Sequence, residues 1–301
     1  MNWFDALLLG VLEGITEFLP VSSTGHLILL GQYLGHDDDA AKTLEIVIQL
    51  GAVLAVVVYY RHKLAGLVRG VVRRDPASLR LALALIIAFV PAAVIGLLLH
   101  KWIKEQLFGP GPVAVALIVG GVAMIGIESF LKVRGGERLD GTEHITPRRA
   151  LTIGLAQCVS LWPGASRSMS TIVGGQLCGL STATAAEFSF LLAIPTLGAA
   201  TLFDLAKNGK TLLEAPGGLL ALGVGMVVAF AVALLVIAAF LRYLRRFGLI
   251  PFGAYRIVLG IAVLLLVTST PKKVQDPSAA PASTSTSSGA AEPASAPLPA
   301  P

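Results

Sequence analysis

Six long apolar runs constrain this chain more than any other feature of its sequence. They cover residues 44–60, 79–99, 112–131, 183–205, 217–241 and 250–267. A helix needs about 20 predominantly apolar residues to cross the hydrocarbon core of a bilayer. The composition agrees, because 55% of the residues are hydrophobic, only 14% are charged, and the mean hydropathy is +0.78. We therefore expect an all-α polytopic membrane protein with six full transmembrane helices.

Basic residues are concentrated in alternate loops, which predicts the orientation of the protein. The loops 61–80, 132–149 and 242–246 are rich in arginine and lysine, whereas the intervening loops contain only Lys101 and Lys104, then Lys207 and Lys210. The positive-inside rule places the three rich loops in the cytoplasm, and threading the six runs then places both termini outside. The formal net charge of +5 is accordingly interpreted as an orientation signal, and no nucleic acid is expected as a partner.

Two further segments, residues 2–33 and 150–180, do not fit simple spans. Each consists of a short apolar stretch, a break rich in proline and serine, and a second short stretch. We expect two re-entrant helical hairpins, the first entering from outside and the second from the cytoplasm. The segment "GVLEGITEFLPVSS" aligns with "GLAQCVSLWPGAS" with one gap, so that Gly10 matches Gly154 and Pro20 matches Pro163. This predicts an inverted-topology repeat with broken helices that meet near the midplane.

The remaining segments carry weaker signals. Residues 1–270 are expected to form a single integral membrane domain, and residues 271–301, rich in Pro, Ala, Ser and Thr, a disordered tail. Acidic residues interrupt the N-terminal apolar run and no basic residue precedes it, so we do not predict a secretory signal. The two cysteines, Cys158 and Cys178, are expected to be free thiols.

Two glutamates, Glu13 and Glu17, precede the first break and are four residues apart. They share one helical face, where like charges repel each other. A single charge at membrane depth costs about 3 kcal/mol or more on insertion scales. We therefore expect protonation, a cationic partner or a bound metal ion. The alternative is a pair of carboxylates that faces solvent near the end of the helix.

Hydroxyl residues and a histidine follow Pro20 in "VSSTGH". Ser22 and Ser23 can cap a helix that begins near Thr24, and the N-terminus of such a helix favours an anion. Ser23 and His26 are three residues apart and can face the same way, an arrangement that can activate a nucleophile. Capping alone, for the serines, and a structural role, for His26, are the alternatives.

The second break, "PGASRSMST", contains Arg167, the only basic residue between Arg149 and Lys207. A guanidinium group is permanently charged, and its fork of donors matches the oxygens of a phosphate. Additional donors are available from Ser166, Ser168, Ser170 and Thr171. The alternative is that Arg167 only forms an ion pair with Glu13 or Glu17, which would also bring the two hairpins together.

Together these groups fit a phosphate ester or anhydride better than an apolar ligand. No Walker loop, HExxH or GxSxG motif is present. Phosphoryl transfer depends mainly on positioning and charge stabilisation, and these residues can provide both. A rival interpretation is a transporter for a phospholipid carrier, because inverted repeats with broken helices are common in transporters.

The segments "EGITEFLPVSSTGH", "QCVSLWPGASRSMST" and "AAEFSFLLAIPT" resemble the bacterial undecaprenyl-diphosphate phosphatase family, which is associated with bacitracin resistance. The resemblance covers nearly the whole chain except the tail. It implies hydrolysis of undecaprenyl diphosphate to undecaprenyl phosphate and inorganic phosphate, recycling the lipid carrier for cell-wall synthesis. The Pro-Gly-x-Ser-Arg-Ser-Gly-x-Thr motif of the family falls on Pro163 to Thr171, with Met169 where a glycine is usual.

The residues themselves and the resemblance together suggest roles for individual side chains. Catalytic roles fall on Glu17, Ser23, His26 and Arg167, and substrate-binding roles on Ser22, Thr24, Gly164, Ser166, Ser168 and Thr171. Glu13 and Glu17 are expected to bind a divalent cation, Mg²⁺ or Ca²⁺, or to steer a proton. Either Ser23 attacks with His26 as base, or His26 attacks directly. Glu187 is either a partner for Arg167 or an acid in the first turn of a helix.

The expected location is the bacterial inner membrane, with a multi-pass chain and an active site that faces the outer, periplasmic side. The expected partners are a prenyl diphosphate lipid and membrane lipid, and a homodimer is one candidate assembly.

Overall fold

The computed structural model describes residues 2–35 and 39–269. In these residues the chain forms twelve α-helices and two short 3-10 helices, with one isolated bridge between Leu139 and Leu180. The α-helices are α1 (Trp3–Thr16), α2 (Ser23–Tyr33), α3 (Asp39–Val47), α4 (Gln49–Tyr59), α5 (Arg61–Val72), α6 (Pro76–Gln106), α7 (Pro110–Arg134), α8 (Pro147–Gln157), α9 (Arg167–Leu177), α10 (Thr182–Glu214), α11 (Gly218–Leu244) and α12 (Ile250–Ser269). The predicted tail, residues 271–301, lies outside the described residues.

Five of the helices, α6, α7, α10, α11 and α12, are long and apolar enough to cross a bilayer. They correspond to five of the six predicted runs. The prediction of an α-helical, multi-pass membrane protein is therefore confirmed at this level of detail.

The sixth predicted run, residues 44–60, differs from an ordinary span. It is divided between α3 and α4, which are separated at Ile48. The helical segment 43–59 then meets α5 at an angle of 75°. The bend falls where the apolar run stops and Arg61, His62 and Lys63 begin, and cationic side chains favour the interface over the hydrocarbon. The predicted cytoplasmic loop 61–80 thus includes a basic helix of 12 residues, α5.

Both predicted hairpins contain a helix, a break and a second helix. In the first, the break lies between α1 and α2; in the second, a 3-10 helix (Cys158–Leu161) and the break lie between α8 and α9. A proline in each break, Pro20 or Pro163, cannot donate a backbone hydrogen bond, which disfavours continuation of the helix there.

The helix that follows each break begins in the same way. Ser22 and Ser166 both have a φ of 73°, in the left-handed region that non-glycine residues seldom adopt. Ser22 Oγ accepts the Gly25 N–H and Ser166 Oγ accepts the Met169 N–H, each at 3.3 Å. Ser22 therefore caps α2 as expected, and Ser166 caps α9 in the same way, which was not predicted.

Close glycine contacts join the first helix of each hairpin to the opposite half of the chain. A Cβ added at Gly10 of α1 would lie 2.6 Å from the Gly225 carbonyl oxygen of α11. A Cβ added at Gly154 of α8 would lie 2.6 Å from the Ala88 carbonyl oxygen of α6. The two glycines that the sequence alignment matched thus have equivalent packing, which supports the predicted internal repeat.

Aromatic residues pack behind the first break. Phe18 and Phe190 meet edge to face with their ring centroids 5.1 Å apart, and Phe240 lies 6.2 Å from Phe190. Phe18 and Phe190 are fully buried. This cluster fixes α10 and α11 against the segment that contains Glu17.

Candidate active site

The two breaks meet at a buried ion pair. Arg167 Nη2 donates to Glu17 Oε1 at 3.1 Å, between residues 150 positions apart in the chain. Glu17 is 6% exposed and Arg167 is 9% exposed. The hairpins are therefore joined as expected, and the joining contact is the ion pair that was considered as an alternative role for Arg167.

Further contacts orient the Arg167 guanidinium. Its Nη1 donates to the Ser189 carbonyl oxygen at 2.8 Å and to Ser189 Oγ at 3.1 Å. Its Cζ lies 5.6 Å from the centroid of the Phe18 ring, within the range of a cation–π interaction. Arg167 Nε has no hydrogen-bond partner in the described part of the chain. One charged N–H donor thus remains available to an anionic ligand.

Ser23, the first residue of α2, donates its hydroxyl to Glu17 Oε2. Glu17 therefore lies between a hydroxyl group on one oxygen and a guanidinium on the other. A carboxylate that already accepts the serine proton can act as its general base when the oxygen attacks.

His26 forms a different pair of hydrogen bonds from the one expected. Its Nδ1 lies 2.7 Å from the Ser22 carbonyl oxygen and its Nε2 lies 2.7 Å from the Tyr255 hydroxyl. A carbonyl only accepts, so Nδ1 carries the proton, and in the neutral ring Nε2 accepts from Tyr255. The imidazole thus contacts Ser22 and Tyr255, whereas the hydroxyl of Ser23 is directed to Glu17.

Glu13 is completely buried, and neither of its carboxylate oxygens has a hydrogen-bond partner among the described residues. An uncompensated buried carboxylate is costly. Proximity to Glu17 and Arg167 places it in the same charged cluster. No group of three or more His, Cys, Asp or Glu residues suited to a metal is found in the described residues. Two carboxylates with neighbouring hydroxyls nevertheless fit a hard cation, which also accepts water and neutral oxygen ligands.

The hydroxyl groups of the second break mainly hold the loop and its neighbours in place. Ser168 Oγ donates to the Leu19 carbonyl oxygen of the first break at 2.8 Å. Thr171 Oγ1 donates to Ser189 Oγ at 2.6 Å, which fixes the residue that contacts Arg167. Ser170 Oγ donates back to the Ser166 carbonyl oxygen at 2.9 Å. In the first break, Ser22 is buried and Thr24 is partly exposed.

Gly164 and Met169 occupy special positions in this loop. Gly164 has a φ of +96°, and a Cβ there would lie 2.6 Å from the Val113 carbonyl oxygen, so glycine is required. Met169 is 5% exposed, and a Cβ added at Gly120 of α7 would lie 3.1 Å from its Cε. The methionine that departs from the family motif therefore has its side chain in the apolar core beside α7.

Three site neighbours were not predicted: Ser189 on α10, and Tyr255 and Arg256 on α12. A lone arginine inside the apolar run 250–267 was a signal in principle, because ionisable residues in membrane spans are usually functional. Ser189 lies in the segment "AAEFSFLLAIPT" that carries the family resemblance, whereas Tyr255 gave no comparable signal. Glu187 forms an ion pair with Lys63 at 2.7 Å, so its suggested role as a partner of Arg167 is wrong.

Comparison with known proteins places the chain in a family. The model of the family described as "Bacitracin resistance protein BacA" matches residues 6–262. An undecaprenyl-diphosphatase of Sorangium cellulosum (strain So ce56) is 73% identical over 266 residues, covering 88% of this chain and 87% of the relative. Undecaprenyl-diphosphatases of Thermoanaerobacter sp. (strain X514) and Acinetobacter baumannii (strain AYE) are 48% and 47% identical, covering 87% and 86% of this chain and 96% and 94% of the relatives. This chain therefore belongs to the BacA family, as its sequence motifs indicated.

Proposed function

We propose that this protein hydrolyses undecaprenyl diphosphate to undecaprenyl phosphate and inorganic phosphate. The reaction recycles the lipid carrier for cell-wall synthesis and confers resistance to bacitracin. The names of close relatives that span most of the chain support this activity. The structural observation that carries the proposal is the buried chain Ser23–Glu17–Arg167, which joins a nucleophile, a base and a phosphate-binding cation.

In the proposed mechanism, Ser23 Oγ attacks the terminal phosphorus of the diphosphate while Glu17 accepts the hydroxyl proton. The bond between that phosphorus and the bridging oxygen breaks, and undecaprenyl phosphate leaves. Water then hydrolyses the phosphoserine and releases inorganic phosphate. The assignment of Glu17 as the base rests on the Ser23–Glu17 hydrogen bond and replaces the expected role of His26.

Direct attack by His26 Nε2 is the second route. It requires the Tyr255 hydroxyl to leave that nitrogen first, because the two atoms are 2.7 Å apart. The routes differ in their phosphoenzyme, since phosphohistidine is labile in acid whereas phosphoserine survives it. Acid quenching during turnover therefore assigns the nucleophile, and an acid-labile intermediate lost in His26→Gln would exclude Ser23 as the attacking group.

The diphosphate binds between the N-termini of α2 and α9. Arg167 Nε supplies a free donor, and the two helix N-termini present backbone N–H groups towards the breaks. Ser22, Thr24, Gly164, Ser166, Ser168 and Thr171 shape this region. The ion pair is buried, so binding requires Arg167 to exchange part of its contact with Glu17 for phosphate oxygens.

Glu13 and Glu17 would hold a divalent cation of the Mg²⁺ or Ca²⁺ type. Bound there, the cation would neutralise the paired carboxylates and the charge of the diphosphate. The unpartnered oxygens of Glu13 are the observation in favour of this role.

The finer membrane arrangement is also part of the proposal. Six segments cross the inner membrane, the α1–α2 hairpin enters from the outer face, and the α8–α9 hairpin enters from the cytoplasm. This arrangement opens the site to the periplasmic side, with the prenyl chain held laterally in the bilayer. The proposal applies to a monomer and to a homodimer alike, because one chain supplies every site residue.

A transporter for the same lipid would need a similar anion site, so the decisive measurement is chemical. Purified protein in detergent has no two compartments, and we expect it to release phosphate from undecaprenyl diphosphate. Addition of a chelator should lower the rate, and Mg²⁺ or Ca²⁺ should restore it. Ser23→Ala should lower the rate by at least about 10²-fold, whereas Ser78→Ala, in the first turn of α6 and outside both breaks, should match the wild type. Absence of phosphate release from the wild-type protein would contradict the proposal.

A further inference from the structure

Arg256 of α12 is bound to both breaks at once. Its Nη1 donates to the Pro20 carbonyl oxygen of the first break at 3.1 Å. Its Nη2 donates to the Gly164 carbonyl oxygen of the second break at 2.8 Å. The side chain therefore connects two loops that are 144 residues apart, from a helix that belongs to neither hairpin.

The same guanidinium is anchored to α7. Nη2 also donates to the Ala116 carbonyl oxygen at 3.2 Å, and Nε donates to the Leu117 carbonyl oxygen at 3.4 Å. Arg256 is 0% exposed. All four acceptors are backbone carbonyls, and no ion pair of Arg256 is formed within the described residues. A lysine could not reproduce this arrangement, because its donors all radiate from one nitrogen.

The two break carbonyls occupy equivalent places. Pro20 lies two residues before Ser22 and Gly164 lies two residues before Ser166, and each of these serines has a φ of 73° and caps the next helix. The residue after each capping serine is a site residue, Ser23 or Arg167. Fixing the two carbonyls therefore fixes where both helices begin.

We propose that Arg256 is a positioning residue that sets the register between the two breaks, and so places Ser23 and Arg167 on opposite sides of one diphosphate. This inference rests on the proposed function. Arg256 acts through the backbone of the breaks, and its own donors stay on the carbonyls during the reaction. Its effect should therefore appear in the chemical step, because misplacement of a reacting group by about 1 Å can cost about 10²-fold in rate.

Gly120 of α7 provides a way to move the guanidinium without changing its charge. A Cβ at Gly120 would lie 2.3 Å from Arg256 Nη2 and 3.0 Å from its Cζ. Gly120→Ala should therefore displace the Arg256 guanidinium and leave its charge unchanged. Gly126 lies on the same helix with no atom within 4 Å of an added Cβ, so Gly126→Ala is the matched control.

The first test measures phosphate release per folded molecule, with the folded fraction determined by gel filtration and thermal unfolding. We expect Arg256→Lys and Gly120→Ala each to lower kcat by about 10²-fold, with a much smaller change in KM. Gly126→Ala should keep the wild-type kcat. If the wild type itself releases no phosphate, the proposed function fails; the second test still decides the positioning role.

The second test measures the distance between the hairpins without reference to activity. Spin labels are attached at exposed Ile15 of α1 and exposed Leu155 of α8, in a protein whose two cysteines are replaced by alanine. Double electron–electron resonance spectroscopy should give a narrow distance distribution for the wild type and for Gly126→Ala. It should give a broadened or shifted distribution for Arg256→Lys and Gly120→Ala. Unchanged distance distributions in both Arg256→Lys and Gly120→Ala would overturn the proposal. A wild-type rate of phosphate release per folded molecule in both variants would overturn it as well.

Discussion

At the scale of single residues, the most specific finding concerns the state of His26. The Ser22 carbonyl determines that Nδ1 carries the proton, and the Tyr255 hydroxyl then donates to Nε2. The rings of His26 and Tyr255 are nearly parallel, with an interplanar angle of 3°. Tyr255 is 47% exposed whereas His26 is 9% exposed, so the tyrosine lies between the imidazole and the surroundings.

Tyr255→Phe should therefore impair the enzyme only through His26. His26 holds the Ser22 carbonyl beside the attacking Ser23, so a looser imidazole should misplace the nucleophile. A neutral hydrogen bond contributes about 0.5–1.5 kcal/mol, so we expect kcat to fall by about two- to tenfold. Steady-state phosphate release measures the effect, and Tyr243→Phe on α11 is the control. The same substitution in a His26→Gln background should cause no further loss. An equal loss in that background would contradict the assigned Tyr255–His26 contact.

At the scale of helices, the sequence predicted the breaks well because their cause is local. Pro20 and Pro163 disfavour a helix within the breaks, and serines two or three residues later cap the following helices. The run 44–60 was predicted less well, because apolar composition alone does not reveal the interruption at Ile48 or the 75° bend before α5. The hydropathy of a segment indicates whether it can lie in the hydrocarbon core of a bilayer. The position of a bend depends instead on neighbouring helices and charges.

The proposed hairpin topology can be tested with single cysteines in a protein otherwise free of cysteine. The exposed positions Trp3 and Tyr33 flank the α1–α2 hairpin, and the proposed orientation places the exposed positions Val133 and Leu177 on the cytoplasmic side. In spheroplasts of the expression host, a membrane-impermeant maleimide should label Trp3→Cys and Tyr33→Cys. It should label Val133→Cys and Leu177→Cys only after lysis. Labelling of Trp3→Cys and Tyr33→Cys from opposite sides would exclude a re-entrant hairpin.

At the scale of the whole molecule, the site depends on contacts between residues that are distant in sequence. The chemical character of the two breaks was enough to predict that Glu17 and Arg167 belong together. The partners that orient them were not predicted: Tyr255 sits in an apolar helix without a local motif, and Ser189, although it lies in the segment "AAEFSFLLAIPT", is an ordinary hydroxyl residue in an apolar run. Ser23 pairs with Glu17 instead of His26 for one local and one tertiary reason. The approach of Tyr255 and of the Ser22 carbonyl occupies both imidazole nitrogens.

A double-mutant cycle on Glu17 and Arg167 tests the central claim, that acids of one break and the guanidinium of the other form a single phosphate site. Glu17→Gln keeps the side-chain size and Arg167→Lys keeps the positive charge, and phosphate release is measured per folded molecule for each variant and for the double variant. We expect each substitution to lower kcat/KM by at least about 10²-fold, and the double variant to be no slower than the slower single one. Losses that multiply in the double variant would show two independent sites and contradict the account.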